Sequence, residues 1–304
     1  MENIGKNKTS MIEDFTKWKI TSKVPDIINK MSTYAISNNL EEGLTFINDS
    51  IEINGIDDTG ASEKLVDVQD YKLEQTGNKI DISFIKDIGE YKSIEIYYTT
   101  RFNDKVVFGG NGNNNYVELK YTNKIEEDYT QLDTYITTKN SAEVHTGKVL
   151  ILKTDGTNPL SGAKFKIAKT EQDAKNENYI KDDNNVFLEA MSDNNGFIYF
   201  SGLSYGQDGE KAETAQSSYW IVETQAPSYK ENEEIKYYKL QSNPIEIKVT
   251  NASQNQNNQT RTVINKKEFT MPITGGIGLA ILAIGVVAII ISSIKIIKGR
   301  KNEK

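Results

Sequence analysis

An all-β chain, with two tandem immunoglobulin-like β-sandwich domains followed by a single C-terminal transmembrane helix, is predicted by three observations. Short stretches rich in Ile, Val, Thr and Tyr alternate apolar with polar residues through residues 15–265, the period of strands that bury one face. Clusters of Asn, Gly and Asp separate them, and these residues favour tight turns. The run 276–294 contains no charged residue and, at about 1.5 Å per residue, is long enough to span a bilayer core.

The first sandwich is expected within residues 1–142. Trp18 and Ile20, Ile51 and Ile53, Ile80 with Ile82 and Phe84, Ile94 with Ile96 and Tyr98, and Val117 with Leu119 and Tyr121 each mark one apolar strand face. Strands of this number and pattern pack as two facing sheets.

The second sandwich is expected within residues 143–268. Lys148-Val149-Leu150-Ile151-Leu152-Lys153 is apolar on both faces, and Lys153 falls on the face of Val149 and Ile151. In Tyr219-Trp220-Ile221-Val222-Glu223 the carboxyl shares a face with Tyr219 and Ile221, and in Thr262-Val263-Ile264-Asn265 the amide shares a face with Val263. Singly, each reads better as an ordinary residue, Lys153 and Glu223 half-exposed at strand ends and Asn265 in a turn. Together they point to chemistry, because desolvation favours a neutral amine and a protonated acid. Lys153 then attacks the side-chain carbonyl of Asn265 while Glu223 polarises that carbonyl and shuttles protons, releasing ammonia and leaving an isopeptide bond. Asp193-Asn194-Asn195-Gly196 reads as a hairpin turn rather than a calcium loop, since Met191 stands at the first ligand position. The polar tract 251–260 reads as a surface loop before the last strand.

Composition excludes much else. Acidic side chains number 43 against 36 basic ones, the net charge is -7, and no basic face offers itself to nucleic acid. With no Cys there is no disulfide, thiolate metal site or Cys nucleophile, and with His145 alone the usual general base and zinc ligand are nearly missing. The chain holds no phosphate loop or nucleophile-base pair, so no cofactor, no metal and no enzymatic turnover are expected beyond its own cross-linking.

The tail follows a three-part order. Met271-Pro272-Ile273-Thr274-Gly275 precedes the expected helix, 276–297, and Lys295, Lys298, Arg300 and Lys301 favour a cytoplasmic C-terminus. The pentapeptide resembles the Leu-Pro-x-Thr-Gly sorting signal of Gram-positive surface proteins, with Met271 in place of Leu. That resemblance implies a sortase, whose cysteine takes Thr274 as a thioester and passes it to a peptidoglycan precursor or to a lysine of another pilin subunit. Pro272 stiffens the segment, and Gly275 leaves the cleaved carbonyl unhindered. The protein is then single-pass in the membrane before sorting and anchored to the cell wall afterwards. A plain single-pass anchor is the alternative.

Lys153-Thr154-Asp155, Asn158-Pro159-Leu160-Ser161-Gly162-Ala163-Lys164-Phe165, Asn195-Gly196 with Gly202-Leu203, Tyr219 to Pro227 and Val263-Ile264-Asn265 resemble a collagen-adhesin B-type, SpaA-like domain of Gram-positive pilins. Glu223-Thr224-Gln225-Ala226-Pro227 matches the pilin E-box. The resemblance implies that Lys153, Glu223 and Asn265 carry the isopeptide chemistry. Ser228-Tyr229 stands where Gly-Tyr is usual, a departure in a turn and not in the reacting groups.

Trp18-Lys19-Ile20-Thr21 with Val24-Pro25, Gly43-Leu44-Thr45-Phe46 and residues 113–123 resemble the fimbrial isopeptide-forming domain. That family carries an acid where this chain has Asn38, and an amide hydrogen-bonds without shuttling a proton. Lys6 and Lys8 are the available donors and Asn123 the acceptor, which leaves a cross-link here without its proton shuttle. Met1-Glu2-Asn3-Ile4-Gly5-Lys6 lacks the apolar core of a signal peptide, so the chain is expected to continue upstream in the gene product.

The expected function is structural: a sortase-anchored pilus subunit of the cell surface, stiffened by a Lys-Asn isopeptide. The alternative is a wall-anchored adhesin that uses the same domains as a stalk to reach a host ligand. An upstream Tyr-Pro-Lys-like donor favours the first, and an upstream ligand-binding domain the second.

Overall fold

Strand pairing in the computed structural model follows the apolar alternation. The structure describes residues 7–12, 14–85, 87–110, 112–122, 134–136, 140–255 and 261–267. The sorting pentapeptide, the apolar run, the basic tail, Lys6 and Asn123 lie outside them. In chain order the first strands are β1 (Asn7–Thr9), β2 (Thr16–Lys23), β3 (Tyr34–Leu40), β4 (Leu44–Phe46), β5 (Glu52–Ile56) and β6 (Ser62–Lys64). There follow β7 (Tyr71–Thr76), β8 (Lys79–Phe84), β9 (Ser93–Phe102), β10 (Asn113–Thr122), β11 (Thr134–Ile136) and β12 (Asn140–His145).

These form two sheets. A seven-stranded sheet runs β1-β12-β10-β3-β8-β7 with β11 on β10, and a five-stranded sheet runs β2-β9-β5-β6 with β4 on β9. Ile36, Ile80 and Ile82 of the first sheet meet Ile53, Ile94, Ile96 and Tyr98 of the second in one core. On β9 the buried positions are Ile94, Ile96, Tyr98, Thr100 and Phe102, every second residue, as the pleat requires.

A second core lies between two further sheets. Its strands are β13 (Gly147–Thr154), β14 (Lys164–Ala168), β15 (Glu189–Met191), β16 (Phe197–Leu203), β17 (Gln216–Gln225), β18 (Ser228–Glu231), β19 (Glu234–Tyr237), β20 (Ile245–Thr250) and β21 (Arg261–Ile264). The sheet β16-β13-β21 faces the sheet β15-β14-β17-β20, with Val149, Ile151, Ile198 and Val263 against Phe165, Ile167, Ile221 and Val249. The first and last strands, β13 and β21, are parallel neighbours, with Lys153 opposite Val263. Strands β18 and β19 form a separate hairpin. The one described α-helix, Glu171–Lys175, is capped by the Thr170 side chain, which accepts from the Asp173 amide.

Two expectations change. The Asp193–Gly196 turn is tight, with the Asp193 carboxylate accepting from the amides of Asn195 and Phe197, each at 2.8 Å. It joins strands of different sheets, β15 pairing with β14 and β16 with β13, so it is no hairpin. The tract after β20 is also more than a surface loop. Ser253 is buried, and the Asn251 carbonyl accepts from the Gly110 amide at 3.1 Å. Residues 256–260 of that tract lie outside the described residues.

The two cores are held together by the start of the chain. Residues 7–12 lie between β12 and the loop after β16. Ser10 N–H donates to the His145 carbonyl and Ile12 N–H to the Gly202 carbonyl, both at 3.0 Å. Tyr205 N–H donates to the Thr9 hydroxyl at 2.8 Å, and Gly209 N–H to the Asn7 carbonyl at 2.8 Å. His145, the only histidine, is fully buried here with Nε2 3.0 Å from the Tyr205 carbonyl.

Gly202 makes the close approach of this strap possible. It has φ +77°, and an added Cβ would stand 2.4 Å from the Ile12 Cβ. Gly202→Ala is therefore expected to lift the strap, adding a clash to the roughly 1–2 kcal/mol of left-handed backbone strain. At about 2–4 °C per kcal/mol for a body of this size, a thermal melt is expected to fall by several degrees. Gly60→Ala, at φ +85° with open space around it, is the control and is expected to fall less.

Candidate functional site

Three strands deliver the reacting groups to one point of the second core. Lys153 lies near the end of β13, Glu223 near the end of β17, and Asn265 immediately after β21. Each points inward by the two-residue period, and the three are 0%, 1% and 1% exposed. The end of β21 is fixed by pairing: Thr154 lies opposite Ile264, and Asn265 N–H donates to the Thr154 carbonyl at 3.0 Å.

Lys153 Nζ donates to Asn265 Oδ1, lies 3.3 Å from the Val263 carbonyl and stands 3.4 Å from Glu223 Oε1. Asn265 Nδ2 donates to both carboxylate oxygens of Glu223, each at 2.9 Å. The donors dictate this orientation, since a flipped amide would set N–H groups against the amine. Glu223 thus faces the amide nitrogen, the leaving-group side, rather than the carbonyl expected from the sequence. The Phe165 ring, fully buried, lies 5.9 Å from Nζ and keeps the pocket apolar.

Burial dominates the electrostatics. It draws the Lys153 amine down from 10.5 to about 8, against the opposing attraction of Glu223. An amine, an amide and a carboxyl are thereby in mutual contact in one apolar pocket. Among the described residues no cluster of three His, Asp or Glu side chains is placed to hold a metal.

Sequence reasoning missed one partner. Gln241 N–H donates to Glu223 Oε2 at 2.7 Å. A backbone amide has no residue-type signature, so no motif points to it.

In the first core Asn38 is fully buried on β3, where its Nδ2 donates to Asn115 Oδ1 and, at 3.0 Å, to the Tyr116 carbonyl. Asn115 Nδ2 in turn donates to the Tyr98 hydroxyl, whose ionisation burial pushes up. Lys8 is not brought to this cluster. It lies on β1, three strands away from β3 across the sheet, about 14 Å at the usual strand spacing.

Comparison with known proteins places this geometry. Residues 147–267 match the model of the SpaA domain, described as a prealbumin-like fold domain. The chain is 30% identical over 183 residues to the trypsin-resistant surface T6 protein of Streptococcus pyogenes serotype M6, and spans about a third of that protein, 34%. Among solved structures, a 35 kDa C-terminal fragment of the major pilin GBS80 of Streptococcus agalactiae is similar at TM-score 0.64 and 21% identity, covering 86% of this chain and 96% of that one. The T6 backbone pilin of Streptococcus pyogenes is similar at TM-score 0.56 and 24% identity, covering 80% of this chain and 48% of that one. The major pilin subunit BcpA of Bacillus cereus is similar at TM-score 0.55 and 22% identity, covering 86% of this chain and 67% of that one. The Lys153, Glu223 and Asn265 cluster therefore lies in a segment that matches the SpaA prealbumin-like domain, within an all-β body that shares its fold with major pilins.

Proposed function

We propose that the chain is a structural subunit of a pilus, anchored at the cell surface of a Gram-positive bacterium. Its two cores are two domains, 1–142 and 143–268, followed by the sorting signal 269–304. The observation that carries this reading is the convergence, in the SpaA-like segment, of a buried amine from the first strand, a buried carboxyl from β17 and a buried amide just past the last strand. A fibre subunit is pulled along its chain, and a covalent tie between those strands resists that load.

The bond forms within the buried pair. A proton passes from the Lys153 ammonium to Glu223, and the neutral amine attacks Cγ of Asn265. Glu223 accepts a proton from the attacking nitrogen and gives one to Nδ2. The Cγ–Nδ2 bond breaks, ammonia leaves, and the Nζ–Cγ amide remains with Glu223 protonated. At the tail, Met271-Pro272-Ile273-Thr274-Gly275 is read by a sortase, which cleaves after Thr274 and joins it to another subunit or to peptidoglycan. The run 276–297 holds the chain in the membrane until then. The T6 protein of Streptococcus pyogenes, described as a backbone pilin, supports polymerisation as the outcome.

Intact mass tests the cross-link. The wild-type chain is expected one ammonia lighter than its sequence, and Glu223→Ala and Asn265→Ala are expected at full mass. By analogy with a disulfide closing a loop of 112 residues, loss of the tie costs about 4–5 kcal/mol, visible as a lower melting temperature. A wild type at full mass removes the cross-link from this account.

The pH dependence has a definite sign. Below about 8 the pair keeps the proton that Glu223 hands to the leaving group, and above it that proton is lost although the amine stays neutral. With photocaged lysine at position 153, ammonia release after a light flash is expected to slow about tenfold per pH unit above about 8. A rate that rises through that range contradicts the acid role of Glu223.

A further inference from the structure

The segment between the β18–β19 hairpin and β20 touches the reacting groups through its backbone alone. Strand β19 ends at Tyr237 and β20 begins at Ile245, and between them only Tyr238 forms a β-bridge. Gln241 N–H donates to Glu223 Oε2 at 2.7 Å, and Lys239 N–H donates to the Lys266 carbonyl at 2.9 Å. Lys266 directly follows the acceptor Asn265.

The anchor of this segment is Tyr238. It is buried against Leu160 and Ala226, its ring lies 5.0 Å from that of Tyr229, and its N–H donates to the Pro227 carbonyl at 3.0 Å. Pro227 follows Ala226 in the loop that leaves β17, so the anchor is tied to the strand that carries Glu223. The Leu240 side chain is 44% exposed, and Lys239 is exposed as well. The contacts therefore depend on main-chain position rather than on side-chain identity.

We propose that residues 238–241 form a positioning clamp for the cross-link, whose two backbone N–H groups fix the Glu223 carboxylate and hold the acceptor strand beside Lys153. The clamp rests on the reading of Lys153, Glu223 and Asn265 as a self-reacting trio. A free glutamate side chain samples several rotamers, and ordering it has an entropic cost. The Gln241 amide selects the rotamer that meets Nδ2. The acceptor is held from both sides, its own N–H by Thr154 and the next carbonyl by Lys239. Attack requires the reacting atoms within a few tenths of an ångström of one geometry, so loosening either hold slows the step while leaving the trio intact.

The test uses the full chain in mild detergent, with photocaged lysine at position 153 so that reaction begins at a light flash. Gln241→Ala and Lys239→Ala keep their N–H groups and are expected to release ammonia at the wild-type rate. Gln241→Pro and Lys239→Pro remove them and are expected to react at least tenfold more slowly. Amide exchange by NMR provides a second readout that does not depend on the proline variants folding. In unreactive Lys153→Met, the Gln241 amide is expected to be protected, and in Lys153→Met with Glu223→Ala it is expected to exchange faster while the Lys239 amide stays protected. Wild-type ammonia loss with Gln241→Pro reacting at the same rate, or a Gln241 amide that exchanges like an open loop in Lys153→Met, overturns the clamp alone. A wild type that keeps its ammonia overturns the cross-link and the clamp with it.

Discussion

The burial of one lysine amine governs the second half of this molecule. Lys153 has no exposed surface, and an isolated ammonium in such a place is too costly to persist. Glu223 answers it, but a buried ion pair recovers its desolvation cost only when every remaining lone pair and proton finds a partner. Asn265, the Val263 carbonyl and the Gln241 amide supply those partners. In the proposed cross-link, amine and amide become one neutral amide and the charges are removed altogether. On that proposal, the same burial that makes the ion pair costly favours the cross-linked product.

The first core meets a similar demand differently. Asn38, Asn115 and Tyr98 are neutral groups linked along a chain of hydrogen bonds that leaves only the buried Asn38 Oδ1 unpaired among their amide oxygens, with no amine among them. A neutral network in a core rigidifies the sheets without charge to be removed. Asn113 extends the same economy to a loop, its side chain accepting from the Val107 amide and donating to the Val107 carbonyl. The two cores thereby differ in kind, one holding neutral polar contacts and one a buried Lys153–Glu223 pair.

Between them lies a joint made mostly of backbone hydrogen bonds. The strap 7–12, the carbonyl of Asn251 and the buried His145 each join elements far apart in sequence. The Glu143 carboxylate accepts from the Ala212 amide at 3.1 Å across the same joint. Such contacts limit bending where two sandwiches would otherwise hinge.

The strand faces were legible in the sequence because a side chain's face follows from a period of two. That period placed Lys153 with Val149 and Ile151, Glu223 with Tyr219 and Ile221, and Asn265 with Val263, and the buried positions on these strands follow it. Asn38 was legible only through the family resemblance, as an amide where an acid is usual, and its burial came from the structure. Tertiary structure alone decided what period cannot encode. The parallel pairing of β13 with β21 brings together residues 112 apart, and no local pattern specifies that pairing. The orientation of the Asn265 amide, the strap across the joint and the Gln241 amide on Glu223 are likewise products of packing. Backbone groups are the same in every residue, so where they end up bonding is settled only when the chain is folded.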